Sequence, residues 1–170
     1  MRLFVALPLP DELRRALLEV QRDMRRQGVR ANFSREENLH LTLAFLGEVE
    51  GEAVRAAQEA VLSLEGEAFP LALDRPGSFG GLYWAGLRKS KPLEALAART
   101  RQALDERGLG YDKKPFRAHI TLARQVRAAG PFHIALPPAE AAAEQVTLLR
   151  SDREDGKLVY TPLAERRLKG

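Results

Sequence analysis

Apolar and polar residues alternate with two periods along this chain, and the places where the period changes divide it into elements. Residues 2–7 alternate and are rich in β-formers, which predicts a strand. From Asp11 the apolar positions become Leu13, Ala16, Leu17, Val20 and Met24, the spacing of one helical face. Acidic Asp11 and Glu12 at its start and Arg25 and Arg26 at its end suit the helix dipole, and Gly28 stops it. A strand over Leu39–Phe45 ends at Gly47, and a second helix runs from Glu52 to Leu64. Strand patterns return at Phe69–Leu73 and Leu82–Leu87, around a turn-rich Pro76-Gly77-Ser78-Phe79-Gly80-Gly81. A third helix spans Pro92 to Arg107 and closes on Gly108 and Gly110, and a strand covers Phe116–Arg124. Between Gln125 and Ala143 the prolines predict a loop, with a short helix over Ala139–Ala143. The chain closes in a hairpin, Gln145–Ser151 and Leu158–Leu163 about a turn at Asp152–Gly156.

That order mixes hairpins with helices and has few strict strand–helix–strand repeats, so it predicts an α+β fold rather than a doubly wound parallel sheet. At 170 residues the chain has the length of one domain, 1–170, with no linker-like or low-complexity stretch. The apolar start is broken early by Pro8, no run approaches the ~20 residues that span a bilayer, and the expected location is the cytoplasm. The absence of cysteine excludes disulfides, thiolate metal sites and cysteine nucleophiles. The net charge of +4 suits an anionic partner such as RNA, although both signs are mixed along the chain.

One internal repeat carries the chemistry. His40-Leu41-Thr42-Leu43-Ala44 and His119-Ile120-Thr121-Leu122-Ala123 differ by one Leu/Ile exchange, and they use two of the three histidines in the chain. Each copy lies in a predicted strand, so His and Thr share one face and the aliphatic residues the other. A single H-x-T is most simply a strand with an exposed histidine; two near-identical copies are not. If the two polar faces meet across a cleft, they bring together two imidazoles and two hydroxyls. One neutral imidazole can then take a proton from an attacking oxygen while an imidazolium protonates the leaving one. The hydroxyls of Thr42 and Thr121 can hold the non-bridging oxygens of a phosphate. Two histidines can also bind zinc, but neither copy brings a carboxylate or third histidine at ligand spacing, so no metal is expected.

With these motifs the chain resembles the 2H phosphoesterase superfamily, and within it the bacterial and archaeal RNA 2′,3′-cyclic phosphodiesterases, also called 2′-5′ RNA ligases. The resemblance extends over Arg2–Leu7, Asn38–Gly47, Pro115–Arg124 and the Ser151…Tyr160 hairpin, with one departure at Ala118, where that family usually has proline. It implies two pseudo-symmetric lobes of mainly antiparallel sheet, helices outside, and a central cleft to which each lobe contributes one H-x-T motif. It also implies hydrolysis of a terminal 2′,3′-cyclic phosphate on RNA, tRNA halves among the candidates, to a 2′-phosphate. His40 would be the proton donor, His119 the proton acceptor, and no cofactor or obligate protein partner is implied. Reversible 2′-5′ joining, opening of a small cyclic nucleotide, and an RNA-end binding module without turnover remain the rival functions.

The supporting residues are open to two readings. Arg124 ends the second motif, where the resemblance implies phosphate binding, but strict alternation turns it away from His119. Either the strand bends there or Arg124 serves packing and a salt bridge. The same parity makes Phe45 a core residue. Phe4, on the Arg2/Phe4/Ala6 face, either stacks on a base or is ordinary packing. Lys113, Lys114 and Arg117 can attract an RNA backbone or simply be solvated, and His133 sits in a proline-bounded loop as an exposed or structural residue.

Overall fold

The computed structural model describes residues 1–170. The first strand, β1 (Arg2–Pro8), and the first helix, α1 (Asp11–Arg26), fall where the periodicity puts them, and Gly28 ends the helix with φ +85°. A short β2 (Arg30–Phe33) follows, then β3 (His40–Glu48), α2 (Glu52–Leu62), β4 (Phe69–Phe79), β5 (Leu82–Leu87), α3 (Lys91–Asp105), β6 (His119–Arg127), β7 (Glu140–Ala143), β8 (Gln145–Glu154) and β9 (Lys157–Arg167). Ser90 caps α3, its hydroxyl accepting from the Leu93 amide, with Pro92 in the first turn.

Two antiparallel sheets result, with strand orders β3-β1-β8-β9 and β2-β6-β5-β4-β7. One H-x-T strand belongs to each. Two of the three helices cross between lobes, while α2 leaves β3 and packs on β8 and β9 of the same sheet. The chain leaves β1 of the first sheet into α1, yet Gln21 of α1 donates to the Leu122 carbonyl of β6 in the second. It leaves β5 of the second sheet into α3, which packs on β3 of the first. The apolar faces of both sheets and all three helices therefore share one continuous cluster of 35 buried residues, including Leu13, Leu17, Leu41, Leu96, Ile120 and Leu148. The expected α+β class with two antiparallel lobes and outer helices is what the chain adopts.

Five features depart locally from expectation. The Arg30–Phe33 strand is invisible in the sequence because it is short and polar, and it is held by pairing along β6. Ala139–Ala143 is not a helix: so short a run cannot repay helix nucleation, and its backbone instead pairs with the start of β4, Phe69 opposite Ala143. Pro76-Gly77 is not a turn but part of β4, which turns only at Gly80-Gly81. Proline is tolerated there because β7 reaches only Phe69–Ala72, which leaves the Pro76 stretch with a single neighbour, β5, next to a register shift. The strand expected from Phe116 begins at His119. The terminal hairpin is longer and tighter than expected: Asp155 and Gly156, both with positive φ, form the two-residue turn that matches strand twist.

Candidate active site

The two motif strands are built alike down to their irregularities. Against β1, Ala6 faces Thr42 and Val5 faces Ala44, so Leu43 is an extra residue. Against β5, Trp84 faces Thr121 and Tyr83 faces Ala123, so Leu122 is extra. Each strand thus carries a β-bulge at the fourth residue of the repeat. A bulge reverses the alternation beyond it. Leu43 and Ala44 are both buried, as are Leu122 and Ala123, and the next residue returns to the polar face. Those next residues are Phe45 and Arg124. The bend that alternation required for Arg124 is therefore present, and Arg124 lines the same cleft as His119 and Thr121. For Phe45 the bulge overturns the expectation of a core position: the ring is 49% exposed and lines the cleft. The carbonyl of Leu122, displaced at the bulge, accepts from the Ser34 amide and from the buried Gln21 amide group, so α1 and the start of the loop after β2 hold the irregularity in place.

His40, Thr42, His119 and Thr121 line one cleft of about 930 Å³ between the lobes. Both imidazoles are oriented by the same device. Nδ1 of His40 donates to the Asn38 carbonyl at 2.7 Å, and Nδ1 of His119 donates to the Arg117 carbonyl at 2.7 Å, each two residues upstream. With Nδ1 committed as donor, the neutral ring carries its lone pair on Nε2. At His40, Nε2 accepts from the Thr42 hydroxyl at 2.8 Å. Asn38 is itself buried and donates to the Leu158 carbonyl, which locks the carbonyl that holds His40. At the second motif, Ala118 precedes the histidine and the Nδ1 bond is made without proline.

Aromatic rings back each histidine. Phe4 lies 5.0 Å from His40 between centroids, and Tyr160 meets both edge-on at 4.9 and 5.3 Å. Phe4 is only 4% exposed, so it floors the cleft under His40 and offers no free face to a base; the exposed ring on that side is Phe45, 5.9 Å away. Across the cleft, Trp84 stands edge-on to His119 at 5.9 Å, and its indole covers Gly77, where a Cβ would sit 2.5 Å from the ring. Tyr160 and Trp84 escaped the sequence analysis. A lone tryptophan and a tyrosine in strands carry no mark of which face they occupy until the register is known. Lys113 and Lys114 pair with Asp105 and Asp112 outside this cleft, Arg117 contributes only its carbonyl, and the His133 ring is exposed in its loop.

Burial pulls the pKa of His40 below the usual 6.5; the bond to Asn38 opposes this, while the charges of Arg124 and His119 add to it. Burial likewise pushes the Tyr160 phenol up, so it stays protonated. The sign for stability follows from linkage. The unfolded chain takes up the His40 proton first as pH falls, so the contribution of this residue is complete above 6.5 and is lost as pH drops through the lower folded value. Urea unfolding across that interval should therefore show a stability loss that is shallower in His40→Gln; an identical slope in both proteins would refute the depressed pKa.

Known proteins with related sequence share this architecture. The family profile described as LigT like Phosphoesterase matches residues 7–83, which include the first motif. An RNA 2′,3′-cyclic phosphodiesterase of Escherichia coli strain K12 is 32% identical over 95% of this chain and 93% of its own length. A Geobacillus stearothermophilus protein of the same name is 29% identical over 89% of this chain, which spans 52% of that relative's length. The crystal structure of E. coli LigT complexed with 3′-AMP superposes with a TM-score of 0.82 at 31% identity, covering 99% of this chain and 98% of that one.

Proposed function

Since the chain belongs to the LigT-like phosphoesterases of the 2H superfamily, we propose that it is an RNA 2′,3′-cyclic phosphodiesterase in which His40 and His119 carry the proton transfers. The observation that supports this most is the matched setting of the two histidines, each with Nδ1 tied to a carbonyl two residues back and Nε2 on the cleft side, where that of His40 meets only the Thr42 hydroxyl. The whole chain, 1–170, serves as one catalytic unit, because each motif strand is covered by a helix that starts in the other lobe.

In the proposed reaction, Nε2 of His119 takes a proton from water as its oxygen bonds to phosphorus. The bond to the ribose 3′ oxygen breaks, and His40 supplies the proton that oxygen needs, leaving the phosphate on the 2′ oxygen. Attack and departure lie on opposite sides of phosphorus, which is why two opposed groups serve better than one. Arg124 and the hydroxyls of Thr42 and Thr121 hold the non-bridging oxygens, where negative charge must be stabilised.

His40 is neutral in the free protein at neutral pH, yet the donor must be charged. The substrate's own negative charge resolves this: it offsets Arg124, the fixed cation that disfavours the imidazolium, and itself favours the charged ring. Once protonated, Nε2 of His40 no longer accepts from Thr42, and that hydroxyl is released to donate to phosphate. Phe4 and Tyr160 hold the His40 ring in place.

The test uses RNAs ending in 2′,3′-cyclic phosphate, a tRNA half among them, with a chelator present. The expected product is a 2′-phosphate end. A 3′-phosphate product, or dependence on added metal, would contradict the mechanism. Adding a 5′-hydroxyl RNA and looking for a 2′-5′ linkage separates joining from hydrolysis.

A further inference from the structure

The cleft is more basic than a single cyclic phosphate requires. Arg25, Arg30 and Arg35 line the wall made by the end of α1, β2 and the loop after it; Arg153 and Lys157 line the facing tip of the β8–β9 hairpin; Arg124 sits with the histidines. No Asp or Glu lines the cleft with them. The remainder of the chain has 21 basic and 23 acidic residues, so the net positive charge of the molecule resides here.

These cations are also held open. Arg14, Arg22 and Arg150 elsewhere each pair with a carboxylate, whereas in the cleft only Arg35 does, with Glu37. Arg25 is steadied by stacking on Phe33, 4.2 Å from the ring centroid. Arg30 stands directly across from Arg127 of β6, and like charges opposed in a strand pair are destabilising until an anion lies between them.

The basic wall has a direction. Beyond Phe45, Arg124 and Tyr160 a second hollow of about 840 Å³ opens, and there Asp112 and Asp152 accompany Arg2 and Arg153, the latter standing at the border of both hollows. A polyanion leaving the histidines thus meets mixed charge on one side and cations alone on the other.

We propose that the RNA strand upstream of the cyclic end leaves over β2, its phosphates held between Arg25 and Arg30 on one wall and Arg153 and Lys157 on the other. The protein therefore prefers an oligoribonucleotide end to a mononucleoside cyclic phosphate. This rests on the hydrolase reading above and adds the chain path to it.

The experiment compares kcat/KM for a mononucleoside 2′,3′-cyclic phosphate with that for an oligoribonucleotide of the same terminal base, over a range of salt. The oligomer should be favoured on the order of tenfold or more at low salt. Its logarithmic salt dependence should be steeper by about 2, the counterion release of roughly three single-strand phosphate contacts. Arg25→Gln/Arg30→Glu should collapse the oligomer-to-mononucleoside ratio and remove about half of that extra steepness, while Arg2→Glu, in the mixed-charge hollow, should leave the ratio as it was. A wild-type ratio near one, or a ratio lost in Arg2→Glu and kept in the double variant, overturns the proposal. Oligomer binding followed by fluorescence anisotropy distinguishes the two possible failures. Salt-steep, Arg30-dependent binding without turnover would overturn the hydrolase reading alone. Turnover without a length preference would overturn the chain path alone.

Discussion

His40→Ala and His119→Ala should each lower kcat on cyclic-phosphate RNA on the order of 10²–10⁴-fold, the contribution of one proton-transfer group. The folded state should survive both changes, since neither ring belongs to the apolar cluster. The roles can be separated with an aryl phosphodiester, whose leaving oxygen departs without a proton. The variant lacking the acid should regain much of its deficit on that ester, and the variant lacking the base should not. With His40 as donor, His40→Ala is the one rescued. The opposite pattern would exchange the two roles, and near wild-type rates in either variant would end the paired mechanism. This ester test is more decisive than a pH profile. A bell-shaped profile has the same form whether the lower pKa belongs to the acid or to the base, and His40 is the histidine whose pKa is depressed.

Arg124→Ala should cost on the order of 10²–10³ in kcat/KM, the usual loss for one donor to a developing oxyanion. It should also move the His40 pKa upward, because a cation that disfavours the imidazolium is gone. The second effect is read by following the imidazole C–H resonances of His40 with pH in the absence of substrate. Both effects need the side chain on the histidine side of β6, and the bulge at Leu122 is what puts it there. Arg124→Lys should retain much of the electrostatic effect on His40 while losing the two-pronged grip on phosphate, so pKa and rate should part in that variant. If Arg124→Ala leaves both rate and His40 titration unchanged, the residue is packing and the bulge has no catalytic purpose.

The site also shows where strand periodicity stops being a guide. From His40 to Leu43 and from His119 to Leu122, alternation assigns every side chain to the correct face. Beyond that it fails in both strands at once, for Ala44 and Ala123, which are buried, and so for Phe45 and Arg124. A bulge inserts a residue into one strand relative to its neighbour, so it exists only in the pairing and has no signature in the strand's own composition. Phe4 illustrates the same limit from the other side. Its strand β1 lies between β3 and β8, and it is buried on both faces, so alternation cannot say whether a ring meets solvent or sits beneath other rings.

By itself the sequence determined the three helices, the H-x-T strands and the α+β class, because these depend on local periodicity and on glycines that end elements. It also singled out the histidines and threonines that meet in the cleft, since a repeated motif using two of three histidines is a local pattern. Only the tertiary structure decided that Phe45 rather than Phe4 presents an exposed ring, that Arg124 faces the histidines, and that Tyr160 and Trp84 flank them. It alone decided that the segment expected as a helix over Ala139–Ala143 holds a strand, Glu140–Ala143, because β4 offers it hydrogen bonds that so short a helix could not supply. It also gathered six cations from distant parts of the chain into one cleft without a carboxylate. The physical reason is common to all of these. Register, bulges and burial are properties of pairs of segments, and charge acts across space rather than along the chain.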